Sequence, residues 1–117
     1  MPHQIDAAMR ECIRNCQECH SICTETVGHC LKLGGRHAGA EHIRLLLDSA
    51  EICATRADFM LRASPDHELT CGVCAELCRK CAESCEQLGD GDQTMQRCAE
   101  ACHRCAESCE QMAAARA

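Results

Sequence analysis

The sequence predicts an all-α protein, an up-down-up-down antiparallel four-helix bundle with a cysteine-lined core. Three observations predict it. Cysteine and apolar positions step alternately by three and four residues over most of the 117-residue chain. Three breaks, Gly34-Gly35, Ser64-Pro65-Asp66 and Gly89-Asp90-Gly91-Asp92, cut that pattern into four long segments. No window carries the alternation of a strand.

The elements follow in order. Helices are expected over 3–33, 40–63, 66–88 and 93–114. Gly34-Gly35 ends the first in the manner of a helix C-cap. Ser64 is placed to cap the third helix, with Pro65 at its first helical position. Asp92 is placed to cap the fourth. Short connections make sequential helices antiparallel neighbours. The whole chain, 1–117, is expected to form a single cysteine-rich four-helix-bundle domain.

The third and fourth helices carry an internal repeat. Cys78-Arg79-Lys80-Cys81-Ala82-Glu83-Ser84-Cys85-Glu86-Gln87-Leu88 returns as Cys102-His103-Arg104-Cys105-Ala106-Glu107-Ser108-Cys109-Glu110-Gln111-Met112, with eight of eleven positions identical. Two copies of one helical unit facing each other explain this, with a more diverged copy in the first helix.

The seams can be written out. The first helix gives Ile5, Met9, Cys12, Cys16, Cys19, Cys23, Thr26, Cys30 and Leu33. The third gives His67, Cys71, Cys74, Cys78, Cys81, Cys85 and Leu88, and the fourth Met95, Cys98, Cys102, Cys105, Cys109 and Met112. Fourteen of the fifteen cysteines therefore occupy core positions on three helices. The second helix reads as an ordinary apolar one, with Ile43, Leu46, Ala50, Cys53, Ala57 and Met60 on its seam and Leu47 and Leu61 beside it. Glu, Arg, Lys and Gln fill the opposite faces.

Composition agrees. Phe59 is the only aromatic residue, so sulfur must occupy much of the interior that branched and aromatic side chains normally fill. The net charge is −6, with no run of Lys or Arg and no stacking platform, which excludes a nucleic-acid binder. The first ten residues lack a basic and then apolar leader, and no stretch approaches the ~20 apolar residues of a membrane span. A cytoplasmic address, and with it reduced thiols, is expected. A secreted disulfide scaffold is the rival. The odd cysteine number and the helical spacing count against it, because i,i+4 neighbours have Cβ atoms ~5–6 Å apart and a disulfide wants ~3.5–4.5 Å.

So many buried thiols in register point to metal. Soft thiolates select Cu(I), zinc and iron–sulfur clusters. Structural zinc takes four ligands, usually from two Cys-x-x-Cys knuckles, and a straight stripe cannot wrap one ion tetrahedrally. Facing stripes can, but four thiolates leave a double negative charge in a buried site. Iron–sulfur ligation uses tighter loops than any here. Cu(I) accepts two or three thiolates, sulfur can bridge two ions, and one Cu(I) per thiolate is neutral overall, the least costly state to bury. Multiple Cu(I) ions per chain are the expected cargo. The expected ligands are Cys12, Cys16, Cys19, Cys23, Cys30, Cys53, Cys71, Cys74, Cys78, Cys81, Cys85, Cys98, Cys102, Cys105 and Cys109.

Cys-x3-Cys-x2-Cys-x3-Cys stripes of this kind, in a four-helix bundle with no leader, resemble the cytosolic class of bacterial copper storage proteins. The resemblance covers nearly the whole chain. It implies a tetramer of bundles, many Cu(I) ions per protomer, loading from one end, and a role in copper homeostasis and detoxification. The chain departs from the pattern in its second helix, which has only Cys53, and this puts the capacity in doubt.

Antiparallel topology sorts the ends. One end collects Met9, Met60, His67 and Met112, soft donors suited to admitting Cu(I), and a core-filling role for the methionines is the alternative. The other collects Leu33, Ile43, Leu46, Leu88 and Met95 and reads as an aliphatic plug. His20 lies beside the first seam, within reach of the cluster edge. His3, His29, His37, His42 and His103 read as unremarkable surface residues. Competing functions are a zinc or iron–sulfur protein with a regulatory or redox role. An enzyme is not expected, since no acid, base or nucleophile set stands apart from the thiols.

Overall fold

The structure is a computed structural model and describes residues 5–116. Helix α1 runs over Ala7–Leu33, α2 over Ala40–Leu61, α3 over Cys71–Leu88 and α4 over Gln93–Arg116, with 3-10 turns at Gly35–Ala38 and His67–Thr70. No strand occurs among the described residues. The four helices match the expected number and order. The differences lie at their ends, and each has a local cause.

Helix α1 begins after Asp6, whose Oδ1 accepts the Met9 N–H at 2.9 Å. This cap starts the helix later than the expected residue 3. Ile5 and Asp6 precede it, and residues 1–4 lie outside the described residues. The C-cap is Gly34, as expected, with φ +73° and its N–H bonded to Cys30 O at 3.1 Å.

The α2–α3 connection corrects the sequence reading. Ala63 takes φ +54°. Its N–H bonds Met60 O at 2.9 Å, and the Ser64 N–H bonds Phe59 O at 3.0 Å. Those two bonds make a Schellman ending, with alanine where glycine is usual. The chain is thereby turned out of the helix axis before Ser64. Ser64 does not cap α3. Its Oγ accepts the Asp66 N–H at 3.1 Å and closes a turn instead. Pro65 and Asp66 are in that turn, and α-helix resumes only at Cys71. The expected start at 66 is five residues early.

Asp92 caps α4 as expected, its Oδ1 accepting the Met95 N–H at 3.1 Å. Gly89 is required here by space. A Cβ on it would lie 2.4 Å from Met95 Cβ and 2.6 Å from Cys85 O. Glycine lets the chain pass directly over Met95 and hold it down against the core.

Helix α1 packs on α2 and α4, and α3 packs on the same two, so the helices form a square around one axis. The bundle measures 52 × 20 × 19 Å. All fifteen cysteines are buried free thiols along that axis. Buried alanines flank them, notably Ala75, Ala82, Ala99 and Ala106, and let the backbones approach closely. Leu33 is 54% exposed and takes no part in closing the core. No helix among the described residues is long and apolar enough to cross a membrane.

Candidate metal centre

The alternation of three and four residues turns the thiols of α1, α3 and α4 toward one another. Their sulfurs form a chain. Cys16 and Cys105 lie 3.6 Å apart, Cys105 and Cys53 3.5 Å, and Cys53 and Cys78 3.4 Å. Cys78 meets Cys19 at 3.9 Å, Cys19 meets Cys23 at 3.8 Å, and Cys23 meets Cys98 at 3.7 Å. Cys74 joins through Cys53, Cys78 and Cys105 at 3.8–3.9 Å, and Cys102 through Cys19 and Cys23 at 3.6–3.7 Å. These separations are far beyond a disulfide bond of ~2.05 Å. They suit a shared soft ion, since two metal–sulfur bonds of about 2.3 Å at a trigonal angle put the sulfurs about 4 Å apart.

Three groups of four thiols have all their sulfurs within 4.8 Å of one another: Cys16, Cys74, Cys105 and Cys109; Cys19, Cys53, Cys78 and Cys105; Cys23, Cys81, Cys98 and Cys102. Cys105 belongs to two of them, and the Cys19–Cys23 and Cys19–Cys102 contacts join the third, so the groups form a connected cluster and not three separate tetrahedra. Cys12, Cys30, Cys71 and Cys85 lie outside these quartets but are equally buried. Hydrogen bonding among thiols splits their acidities. Hydrogen bonds from Cys102 and Cys23 bring Cys81 down to about 6, and one from Cys102 leads in lowering Cys98. Burial chiefly raises Cys71, and raises Cys30 to about 11.

The second helix buries more than the expected seam. Of that seam Leu46, Ala50, Cys53, Ala57 and Met60 are buried as expected, and His42, Ser49 and Arg56, one residue before Ile43, Ala50 and Ala57, are buried with them. Ala50 and Ala57 are buried between helices, while Ile43 is half-buried. Three polar side chains thus point at sulfur. Ser49 Oγ lies 3.4 Å from Cys78, 3.7 Å from Cys23, 3.8 Å from Cys19 and 3.9 Å from Cys102. Arg56 is 0% exposed; its Nε donates to Cys109 Sγ at 3.2 Å and its Nη2 to Cys12 Sγ at 3.6 Å. Its Nη1 donates to His67 O at 2.8 Å and Thr70 Oγ1 at 2.9 Å. Burial opposes the charge of Arg56, but Cys109, Cys12 and Cys71 outweigh it, and the guanidinium stays charged.

Met9, Met60, His67 and Met112 are all buried at the Arg56 end, as the topology predicts. The opposite end is not the expected aliphatic plug. Leu46 is buried there and Leu88 half-buried, but Cys30 Sγ faces both His42 Nε2 at 3.4 Å and Met95 Sδ at 3.5 Å. His42 was expected on the surface and is 4% exposed. Its imidazole is held below its ordinary pKa by burial, hence neutral. The other histidines behave as surface or joining groups. Half-buried His20 meets Ala50 O through Nδ1 at 2.9 Å. His29 pairs with Asp92 at 2.8 Å, and exposed His103 with Glu86 at 3.2 Å. His3 lies outside the described residues. Polar residues at seam spacing beside a thiol stripe were the available signal for His42, Ser49 and Arg56.

A sulfur-lined bundle of this geometry has known counterparts. The model of the copper storage protein family matches residues 5–114. The chain belongs to that family. Among solved structures it is similar to the Nmul_A1745 protein of Nitrosospira multiformis, at 44% identity and TM-score 0.86, covering 92% of this chain and 96% of that one. It is similar to Cu(I)-bound copper storage protein BsCsp3, from Bacillus subtilis, at 33% identity and TM-score 0.83, covering 91% and 98%. The copper storage protein Ccsp of Streptomyces lividans, loaded with 10 copper equivalents, is 25% identical with TM-score 0.83, covering 97% and 92%.

Proposed function

We propose that this chain stores Cu(I) at high capacity in its thiol core, for copper homeostasis and detoxification. One observation carries the reading: a continuous file of buried sulfurs at 3.4–3.9 Å spacing, with no gap wide enough to separate one site from the next. Two-coordinate and three-coordinate Cu(I) can be handed along such a file with sulfur bridging, and equal numbers of Cu(I) and thiolate are neutral. All fifteen cysteines serve as ligands, and Met9, Met60, His67, Met112 and His20 are auxiliary or admitting donors. The role is storage and not catalysis, in the cytoplasm, where thiols stay reduced.

Zinc is the second reading, favoured by the three four-thiol groups. The sharing of Cys105 speaks against it, since two zinc ions cannot both take it as an unshared fourth ligand. The double negative charge of each buried site is a further cost.

The protein works as a homo-oligomer, a tetramer in keeping with its family. Leu69 in the 3-10 turn before α3 and Val73 at the start of α3 are 77% and 51% exposed, and half-buried Ile52 and Leu77 line the α2–α3 groove. An apolar stripe of this kind suits a second copy.

Anaerobic titration with Cu(I) against a competing chelator tests the function. Saturation near one Cu(I) per thiol, about 15 per chain, is expected. A plateau at three or four metals, or preference for zinc, overturns it.

A further inference from the structure

Cys30 stands apart from the sulfur file. It follows Cys23 by two helical turns, about 10 Å along α1. The seam position between them is Thr26, whose Oγ1 donates to Ile22 O of its own helix at 2.7 Å. At Cys30 the donor set changes. The thiol comes from α1, an imidazole nitrogen from α2 and a thioether from α4, at 3.4 and 3.5 Å from the Cys30 sulfur. All three residues are at least nine-tenths buried.

The imidazole is already oriented. His42 Nδ1 is hydrogen-bonded to Ser84 Oγ of α3 at 2.7 Å, which leaves Nε2 as the nitrogen that faces sulfur. Metal-binding histidines are commonly fixed this way, by a partner on the other ring nitrogen. The spacing also fits. An ion with bonds of about 2.0 Å to nitrogen and 2.3 Å to sulfur, at trigonal angles, needs nitrogen and sulfur about 3.7 Å apart and two sulfurs about 4.0 Å apart. The observed separations need an outward shift of only a few tenths of an ångström. His42 and Ser84 also line a surface cavity of about 750 Å³, with Arg36, Arg44, Lys80 and Glu83 among its other walls. The ring is therefore the partition between water and the buried sulfur pair.

We propose that Cys30, His42 and Met95 form a separate mixed-donor Cu(I) site, one thiolate, one imidazole and one thioether, at the end of the bundle opposite Met9, Met60 and Met112. The assignment rests on the storage reading and adds to it a site that the thiol file does not contain. Unlike the file, this site meets the solvent cavity through its nitrogen ligand.

The test is side-chain nitrogen NMR of the histidines during anaerobic titration of the full chain with the acetonitrile complex of Cu(I). The His42 Nε2 resonance should shift upfield and stay shifted at saturation. His42→Gln and Met95→Leu should each lower saturation by about one Cu(I) per chain. Circular dichroism shows whether each remains helical. Met95→Leu is the milder change, since such swaps usually keep the core packed. An unchanged His42 resonance in a chain that still binds Cu(I) near one per thiol overturns this site and leaves storage standing. Failure to bind Cu(I) at all overturns storage, and this site with it.

Discussion

Arg56 Nε lies 3.2 Å from the sulfur of Cys109, inside the buried thiol core. A buried guanidinium normally needs a charged partner. Here thiols and the turn at His67–Thr70 take that place. The residue links the first level of sulfur to the segment that precedes α3. Arg56→Met keeps most of the volume and removes every one of those bonds. We expect a helical protein that is less stable by about 1–3 kcal/mol in the reduced metal-free state, the usual cost of breaking buried hydrogen bonds on one side. Denaturant unfolding measures it. Amide exchange at His67–Thr70 should accelerate at the same time. Parent-like stability with unchanged exchange would mean that the turn does not depend on Arg56.

Ser49 occupies a thiol position in all but name, with four sulfurs within 3.9 Å of its Oγ. Ser49→Cys adds a fifth sulfur to that level without moving the backbone. Copper capacity should rise by about one ion per chain, and helicity should not change. Equal capacity in parent and variant would show that copper, not sulfur, already fills this level.

The bundle and its thiol seam were legible because the pattern is redundant. Five cysteines in α1 and five in α3 repeat the same step, and a glycine or Asp92 marks several of the boundaries. The α2–α3 turn was not legible. Ser64-Pro65 is a good helix start by local rules, but the left-handed Ala63 settles the chain direction one residue earlier. The polar part of the α2 face was missed for a different reason. Two rows one residue apart both step by three and four, and hydrophobicity chose Ile43, Ala50 and Ala57. A sulfur core reverses that preference, because thiols can donate to and accept from His42, Ser49 and Arg56 where an aliphatic core cannot.

Metal-free stability should depend on pH from both sides. His42 is held below its unfolded value of 6.5, so the unfolded chain binds the extra proton first, and stability is lost as pH falls below about 6.5. Cys30 moves the other way, from 9.0 to about 11, so its contribution is complete below 9.0 and is lost as pH rises through 11. Cys71, also raised by burial, adds to the alkaline limb. Asp92, lowered first by its bond with His29, contributes only above its unfolded value of 3.8, and that share is lost in stronger acid. Cys81, brought down to about 6, contributes fully only above its unfolded value of 9.0 and loses that share as pH falls toward 6, so melting temperatures of the reduced apo chain should peak near 9 and decline on either side. His42→Gln should flatten the upper acid limb and spare the lower one. A parent curve with no fall between 6.5 and 5 would contradict the burial of His42.

The methionine end gives the last prediction. Met9, Met60 and Met112 are 1%, 0% and 8% exposed, and Met112 borders a surface cavity of about 270 Å³. An ion passing them meets Cys12 and Cys109 next, with the Arg56 charge between. Replacing all three methionines with leucine keeps the volume, and such swaps usually cost less than ~1.5 kcal/mol each. The bundle should stay folded, and capacity should be unchanged because every thiol remains. Loading and removal of Cu(I) should slow, because the soft donors that relay it are gone. Stopped-flow loading of the triple variant beside His42→Gln separates the two ends. If the triple variant loads as fast as the parent, the methionines are core filler, and a slower His42→Gln variant then places the way in at the far end.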